Sequence, residues 1–173
     1  MKKGLLIINT GDGKGKTTAS LGMALRALGH GFKVCVIQFI KGSWKYGELE
    51  SVRRFKDLMD FHVMGRGFTR NSKDMGKDRE MARKAWEFAR KAILSGKYKM
   101  VILDELTYLI KYRMVDEKEV VDFLIHRPPT PHIVVTGRNA TRSLMEAADM
   151  VTEMKALKHP YKAGVKAQQG IEY

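Results

Sequence analysis

The stretch Gly4-Leu5-Leu6-Ile7-Ile8-Asn9-Thr10-Gly11-Asp12-Gly13-Lys14-Gly15-Lys16-Thr17-Thr18 constrains this chain more than any other. An apolar run of strand length stops at a glycine-rich turn, and a helix-forming segment, Ala19 to Leu28, follows at once. Glycines let such a turn wrap tightly and aim successive backbone N–H groups inward, which makes an anion nest at a helix N-terminus. Lys16 then reaches phosphate oxygens, and the Thr17 hydroxyl suits a magnesium ion bound to them. This is the pattern of a phosphate-binding P-loop, with Thr10 where G-x-x-x-x-G-K-[ST] has its first glycine. A plain flexible turn is the alternative reading, but strand, turn and helix follow in the order the motif requires.

A second segment answers the first. Met100-Val101-Ile102-Leu103-Asp104-Glu105 is an apolar run ending in an acidic pair. A nucleotide-binding sheet needs such a strand end to hold magnesium opposite the threonine of the phosphate turn. Between them, Lys33 to Ile40 reads as a strand buried on both faces, and its end carries Lys41, Trp44 and Tyr46. Ligands of open α/β sheets sit at that edge, so these three are placed either to line a site or to pack down their own loop. Phe61 to Met64 reads as a third strand, with Arg66, Phe68 and Arg70 in the loop beyond it.

From Lys73 to Ser95 a long helix carries Ala82, Ala85, Trp86, Ala89, Ala92 and Ile93 on one stripe, which belongs to a core. Val115 to Leu124 reads as an amphipathic helix, His132 to Thr136 as a buried strand, Ser143 to Ala148 as a short helix and Met150 to Met154 as a last strand. Arg138 follows the strand at 132–136 and so lies at the same edge as the phosphate turn, whereas Arg26 falls on the side of the first helix away from its apolar positions. His62, His126 and His132 have no metal-ligand spacing. The expected architecture is α/β and P-loop NTPase-like: a mostly parallel sheet of about six strands with helices on both faces. At 173 residues, with no repeat or linker, one domain over 1–173 is expected.

Composition narrows the partners. A net charge of +13 implies polyanions: nucleotide phosphates, nucleic acid or another acidic ligand, unless it is only a lysine-rich solvated surface. The single cysteine, Cys35, lies in an apolar run and fits a reducing compartment, the cytoplasm. Nothing in the first residues reads as a signal peptide or a membrane span. By composition alone, Lys155 to Tyr173 is a basic tail of little periodicity.

Taken together, these segments resemble the P-loop ATP:corrinoid adenosyltransferases. The resemblance rests on Thr10 to Thr18, Gln38-Phe39-Ile40-Lys41-Gly42, Leu103-Asp104-Glu105-Leu106-Thr107-Tyr108 and a C-terminal block. That block runs Val151 to Lys155, then Lys158-His159, then Ala163 to Tyr173, and it argues against a disordered tail. The resemblance implies that the cobalt of a plus-one corrinoid attacks the 5′ carbon of ATP and that triphosphate leaves whole. It implies ATP contacts from Gly11, Asp12, Gly13, Lys14, Gly15, Lys16, Thr17 and Thr18, with Arg26 and Arg138 as further contacts. By the same resemblance Lys16, Thr17 and Glu105 would carry the chemistry, Thr17 and Glu105 would hold Mg2+ with Asp104 in support, and Trp44 and Phe68 would meet the corrinoid.

It also implies a flavoprotein reductase as electron source and a homodimer. Two departures are expected from the resemblance: the sequence begins almost at its first strand, where some members of the family carry an N-terminal arm, and Gly67-Phe68-Thr69-Arg70 has arginine where the family commonly has tryptophan. Two other classes stay open on the residues alone. One is a P-loop ATPase or kinase acting at the γ-phosphate; the other is a basic nucleic-acid-binding ATPase, the less favoured of the two.

Overall fold

The computed structural model describes residues 3–42, 46–65, 67 and 75–173. Strand β1 (Leu6–Thr10) leads into α1 (Lys16–Gly29), β2 (Val34–Gln38), a short α2 (Gly47–Val52) and β3 (Met59–Val63). There follow α3 (Met75–Leu94), β4 (Met100–Asp104), α4 (Leu106–Lys111), α5 (Glu117–Ile125), β5 (His132–Thr136), α6 (Arg142–Glu146) and β6 (Met150–Glu153). The six strands form one sheet in the order β3-β2-β4-β5-β1-β6, every neighbouring pair parallel.

Alternation along each strand splits the core in two. Leu6, Ile8, Cys35, Ile37, Val101, Leu103, Ile133 and Val135 face α3, α4 and α5. Ile7, Val34, Val36, Met100, Ile102 and Val134 face Ala24, Ala27 and Leu28 of α1. With helices on both faces, β1, β2 and β4 are buried at every residue, which is why they read as unbroken apolar runs. The stripe expected on the long helix is the one that is buried, from Ala82 to Ile93.

Sequence boundaries run long for the second strand and, by one residue, for the C-terminal end of the long helix, and the third strand starts two residues early, at Met59. Two helices went unread for opposite reasons. None of α2 is buried, so it has no apolar stripe to see. In α4 the residues Leu106, Thr107, Leu109 and Ile110 are all buried, so it looks like more strand. The segment from Lys155 onward has a defined path, with a single 3₁₀ turn at Pro160–Ala163.

Register aligns the strand ends into one edge. Gln38 pairs with Asp104, Leu103 with Val135, Asn9 with Thr136 and Thr10 with Glu153. The phosphate turn and the acidic pair therefore share this edge, two strands apart.

Across the α3 face the largest fully buried side chain is Trp86. Its Nε1 donates to Glu119 at 3.0 Å, and its ring meets Phe123 edge-on at 5.5 Å, which ties α3 to α5. Trp86→Ala should cost ~3–5 kcal/mol of folding free energy, as truncation of a buried large aromatic does. Urea unfolding measures this, and a loss under about 1 kcal/mol would mean that α3 docks by other contacts.

Candidate active site

The phosphate turn is built around Lys16. Its side chain is buried, and its ammonium donates to the carbonyls of Gly11 at 2.7 Å and Gly13 at 2.6 Å. Burial pushes the ammonium's pKa down, while the nearby Glu105 carboxyl pushes it back up. The first helical turn of α1 has no side-chain cap and no acid, so its unpaired N–H groups are available to an anion. Asn9 donates to Ser20, and Ser20 donates to the Lys16 carbonyl, both at 2.9 Å, locking α1 onto β1.

The departure at Thr10 now has a physical reason. Its hydroxyl accepts the Ala140 N–H at 3.1 Å and cross-links β1 to the loop after β5. The left-handed residue is Gly11 instead, at φ 97°, where an added Cβ would lie 2.4 Å from the Met154 carbonyl oxygen. One expectation needs correction: Gly13 turns its N–H away from the nest and donates to Met154 at 2.6 Å. The amide of Gly13 is committed to protein.

Opposite the turn sits Asp104, fully buried. Its Oδ1 accepts from Thr17 and from Thr136, each at 2.7 Å, and its Oδ2 accepts from the Gln38 amide at 2.9 Å. Gln38 in turn accepts from the Tyr46 hydroxyl at 2.5 Å. Tyr46 is thus a buried support for Asp104 rather than a residue lining the site, and Lys41 stacks over its ring at 4.5 Å. Gln38, Tyr46 and Thr136 are the residues that sequence reasoning missed in this role. The signal was faint: a glutamine and a threonine, each at the end of an otherwise apolar strand.

Glu105 differs from its neighbour in every respect. Its backbone is left-handed, φ 65° and ψ 25°, which ends β4 and swings the side chain out of the strand direction. Its N–H donates to Thr136 at 2.9 Å, and its Oε2 is buried without a hydrogen-bond partner. Burial first, and then the Asp104 charge, push the Glu105 carboxyl up to about 7, against the opposing pull of Lys16, Lys41 and Arg138. An orphaned buried carboxylate oxygen, with the Thr17 hydroxyl held on the neighbouring Asp104, offers hard oxygen donors of the kind magnesium takes. The donor set fits that ion, though among the described residues no three His, Cys, Asp or Glu side chains cluster to hold a metal by themselves.

The two arginines part company. Arg138 is exposed at the strand-end edge, in a cleft of about 510 Å³ shared with Asp12, Glu153, Lys155, Ala156, His159 and Lys162. Arg26 is exposed ten residues along α1 from Lys16, which at 1.5 Å per residue is about 15 Å away. It lines a groove with His30, Phe32, Lys99 and His132 at the opposite edge of the sheet. The expected ATP contact from Arg26 is therefore corrected: the helix carries it away from the phosphate turn. Trp44 and Phe68 lie outside the described residues.

The raised Glu105 pKa has a consequence for stability. The folded protein holds this proton more tightly than an unfolded chain with an ordinary value of 4.5, so stability is greatest below that value. It falls by at most about 1.4 kcal/mol per pH unit until the folded value is passed. Without added metal, Glu105→Gln should therefore gain on the wild type between about pH 5 and about pH 8 in urea unfolding. A gap between the two that does not change with pH would show that the carboxyl titrates as an ordinary exposed acid.

The family model for ATP:corrinoid adenosyltransferase BtuR/CobO/CobP matches residues 2–173. A corrinoid adenosyltransferase of Sinorhizobium sp is 47% identical over 174 residues, covering 99% of this chain and 81% of the relative. Others so described, from Pseudomonas aeruginosa and Escherichia coli K12, are 44% and 43% identical over 172 residues, covering 99% of this chain and 85% and 87% of theirs. With its phosphate turn, its Asp104-Glu105 strand end and its C-terminal block all inside the matched span, the chain belongs to the ATP:corrinoid adenosyltransferase family.

Proposed function

We propose that this protein transfers the 5′-deoxyadenosyl group of ATP to the cobalt of a plus-one corrinoid and releases triphosphate. The observation that carries this is the pairing, at one edge, of a phosphate nest around buried Lys16 with the partnerless Glu105 oxygen. Such a site binds and neutralises polyphosphate. It needs no protein nucleophile, because the plus-one cobalt is itself a strong one; Cys35, the sole thiol, is buried and its pKa is pushed up to about 12.

In the transfer the Co–C5′ bond forms, the C5′–O bond breaks, and the electron pair leaves on triphosphate. Lys16 and the N–H groups of the first turn of α1 meet the growing negative charge, with Lys14 and Arg138 within the same electrostatic field. Asp104 orients the Thr17 hydroxyl. Thr17 and Glu105 would hold Mg2+, which when bound supplies further charge neutralisation to the phosphates. Because Glu105 must be ionised to bind a cation, magnesium affinity should rise with pH through about 7.

The proposal extends to a flavoprotein as the source of the electron, to a homodimer and to the cytoplasm, all from the family resemblance. Among the described residues, no helix is long and apolar enough to cross a membrane.

One observation favours a second reading. A carboxyl near 7 beside a phosphate nest also suits a base that activates water on a γ-phosphate. Phosphorus NMR of a turnover mixture with chemically reduced cobalamin separates the two. Triphosphate in proportion to adenosylated product supports the transfer; ADP with orthophosphate as the main products would overturn it. In the same assay Lys16→Ala should lose ~3 kcal/mol of transition-state stabilisation, more than a hundredfold in kcat/KM.

A further inference from the structure

Lys14 is the second lysine of the phosphate turn, and its ammonium lies 3.0 Å from Glu172 Oε1. Glu172 comes from the far C-terminal segment, where neighbouring Ile171 is 72% exposed, yet its own side chain is only 16% exposed. A small closed turn holds it there. The Gln168 N–H donates to Glu172 Oε2 at 2.8 Å, while the N–H groups of Ile171 and Glu172 donate to the Gln168 carbonyl at 3.2 and 2.9 Å. Gly170, at φ 79°, supplies the left-handed residue of that turn. One carboxylate oxygen is thus tied inside the turn, and the other is aimed at the phosphate loop.

The segment reaches the loop because it leaves the sheet directly beneath it. Gly13 donates to the Met154 carbonyl, and neither Gly11 nor Gly13 has room for a Cβ against the backbone at 154–155. From there the chain skirts the cleft that holds Arg138, with Lys155, His159 and Lys162 on its wall. The Gln168 amide and the Lys14 ammonium keep the Glu172 carboxyl below the ordinary carboxylate range, so it is charged at neutral pH.

We infer that Glu172 is a positioning residue of the phosphate site, one that acts by fixing the direction of Lys14; the inference rests on the nucleotide reading of the loop. An ammonium has three donors, so one given to Glu172 leaves two for phosphate oxygens. A lysine between two glycines would otherwise lose its rotamer freedom only when phosphate binds, and here that ordering is completed on folding.

The opposite effect is what plain electrostatics expects. A carboxylate near a polyphosphate repels it, so neutralising Glu172 should tighten binding if charge were all that mattered. If direction matters more, neutralising it weakens binding.

The test uses the full chain and compares wild type, Glu172→Gln, Lys14→Ala, the double variant and Lys16→Ala. MgATP binding is measured by calorimetry, alongside KM and kcat with pre-reduced cobalamin. Glu172→Gln should raise the Kd and KM for ATP about fivefold, the scale of one ordered ion pair, and leave the KM for cobalamin unchanged. Lys14→Ala should lose at least as much, and the double variant should bind ATP no worse than Lys14→Ala alone, because both act through one group.

Tighter or unaltered ATP binding in Glu172→Gln overturns the inference, as do losses that simply add in the double variant. Lys16→Ala distinguishes the deeper failure. If it binds ATP as the wild type does, the nucleotide reading of the loop falls, and this inference with it. If Lys16→Ala fails to bind while Glu172→Gln is normal, only the positioning role falls.

Discussion

The buried carboxylate of Asp104 is the interaction on which the rest of the site depends. Taking an ion of this kind out of water costs several kcal/mol unless its lone pairs are met. Here three neutral donors meet them, one each from α1, β2 and β5: Thr17, Gln38 and Thr136. Each donor can arrive only if its element is docked in register, so satisfying this one charge locks α1 and three strands to a common edge. A second layer stands behind the first, because Gln38 is itself oriented by Tyr46. Removing one donor would leave a buried acceptor short, which costs more than the bond's net contribution to folding.

Asp104 and Glu105 are adjacent in sequence and opposite in use. Both Asp104 carboxylate oxygens are already hydrogen-bonded within the protein. Glu105 has a buried oxygen with no such bond, and its carboxyl is pushed up to about 7. The division comes from one backbone residue in the left-handed region, which stops β4 and redirects the side chain. Gly137 completes the pocket on the other side. At φ 136°, an added Cβ would lie 2.0 Å from the Thr107 hydroxyl and 3.2 Å from Glu105 Oε2. Two carboxyls with contrasting environments form a recurring device for giving adjacent acids different tasks.

The phosphate turn is likewise held from outside itself. Thr10 receives Ala140, Gly13 reaches Met154, and Lys14 pairs with Glu172. The loop is therefore braced by β5, β6 and the C-terminal segment together. That is how a block outside the P-loop motif comes to shape the phosphate turn. The +13 charge is not spread without purpose either. Lys14, Lys16, Arg138, Lys155 and Lys162 gather around the loop and its neighbouring cleft, where a polyphosphate would need them.

What the sequence determined by itself was the architecture and which groups stand at the edge where the phosphate turn lies. Strands buried on both faces read as apolar runs, glycines mark the turn, and Lys16, Thr17, Asp104 and Glu105 stand at strand or helix ends whose edge follows from parallel connection. These are local or periodic signals, visible because one face or one φ angle dictates the residue type. Only the tertiary structure decided which acid is hydrogen-bonded within the protein and which keeps an unpartnered oxygen, since that depends on Thr136 and Gln38 arriving from other strands. It also decided that Arg26 points to the wrong edge, a matter of helix length and direction rather than residue type. That Glu172 meets Lys14 across nearly the whole chain was decided there too. A glutamate in an aperiodic stretch has no pattern to betray its partner, because the contact is made by where β6 ends.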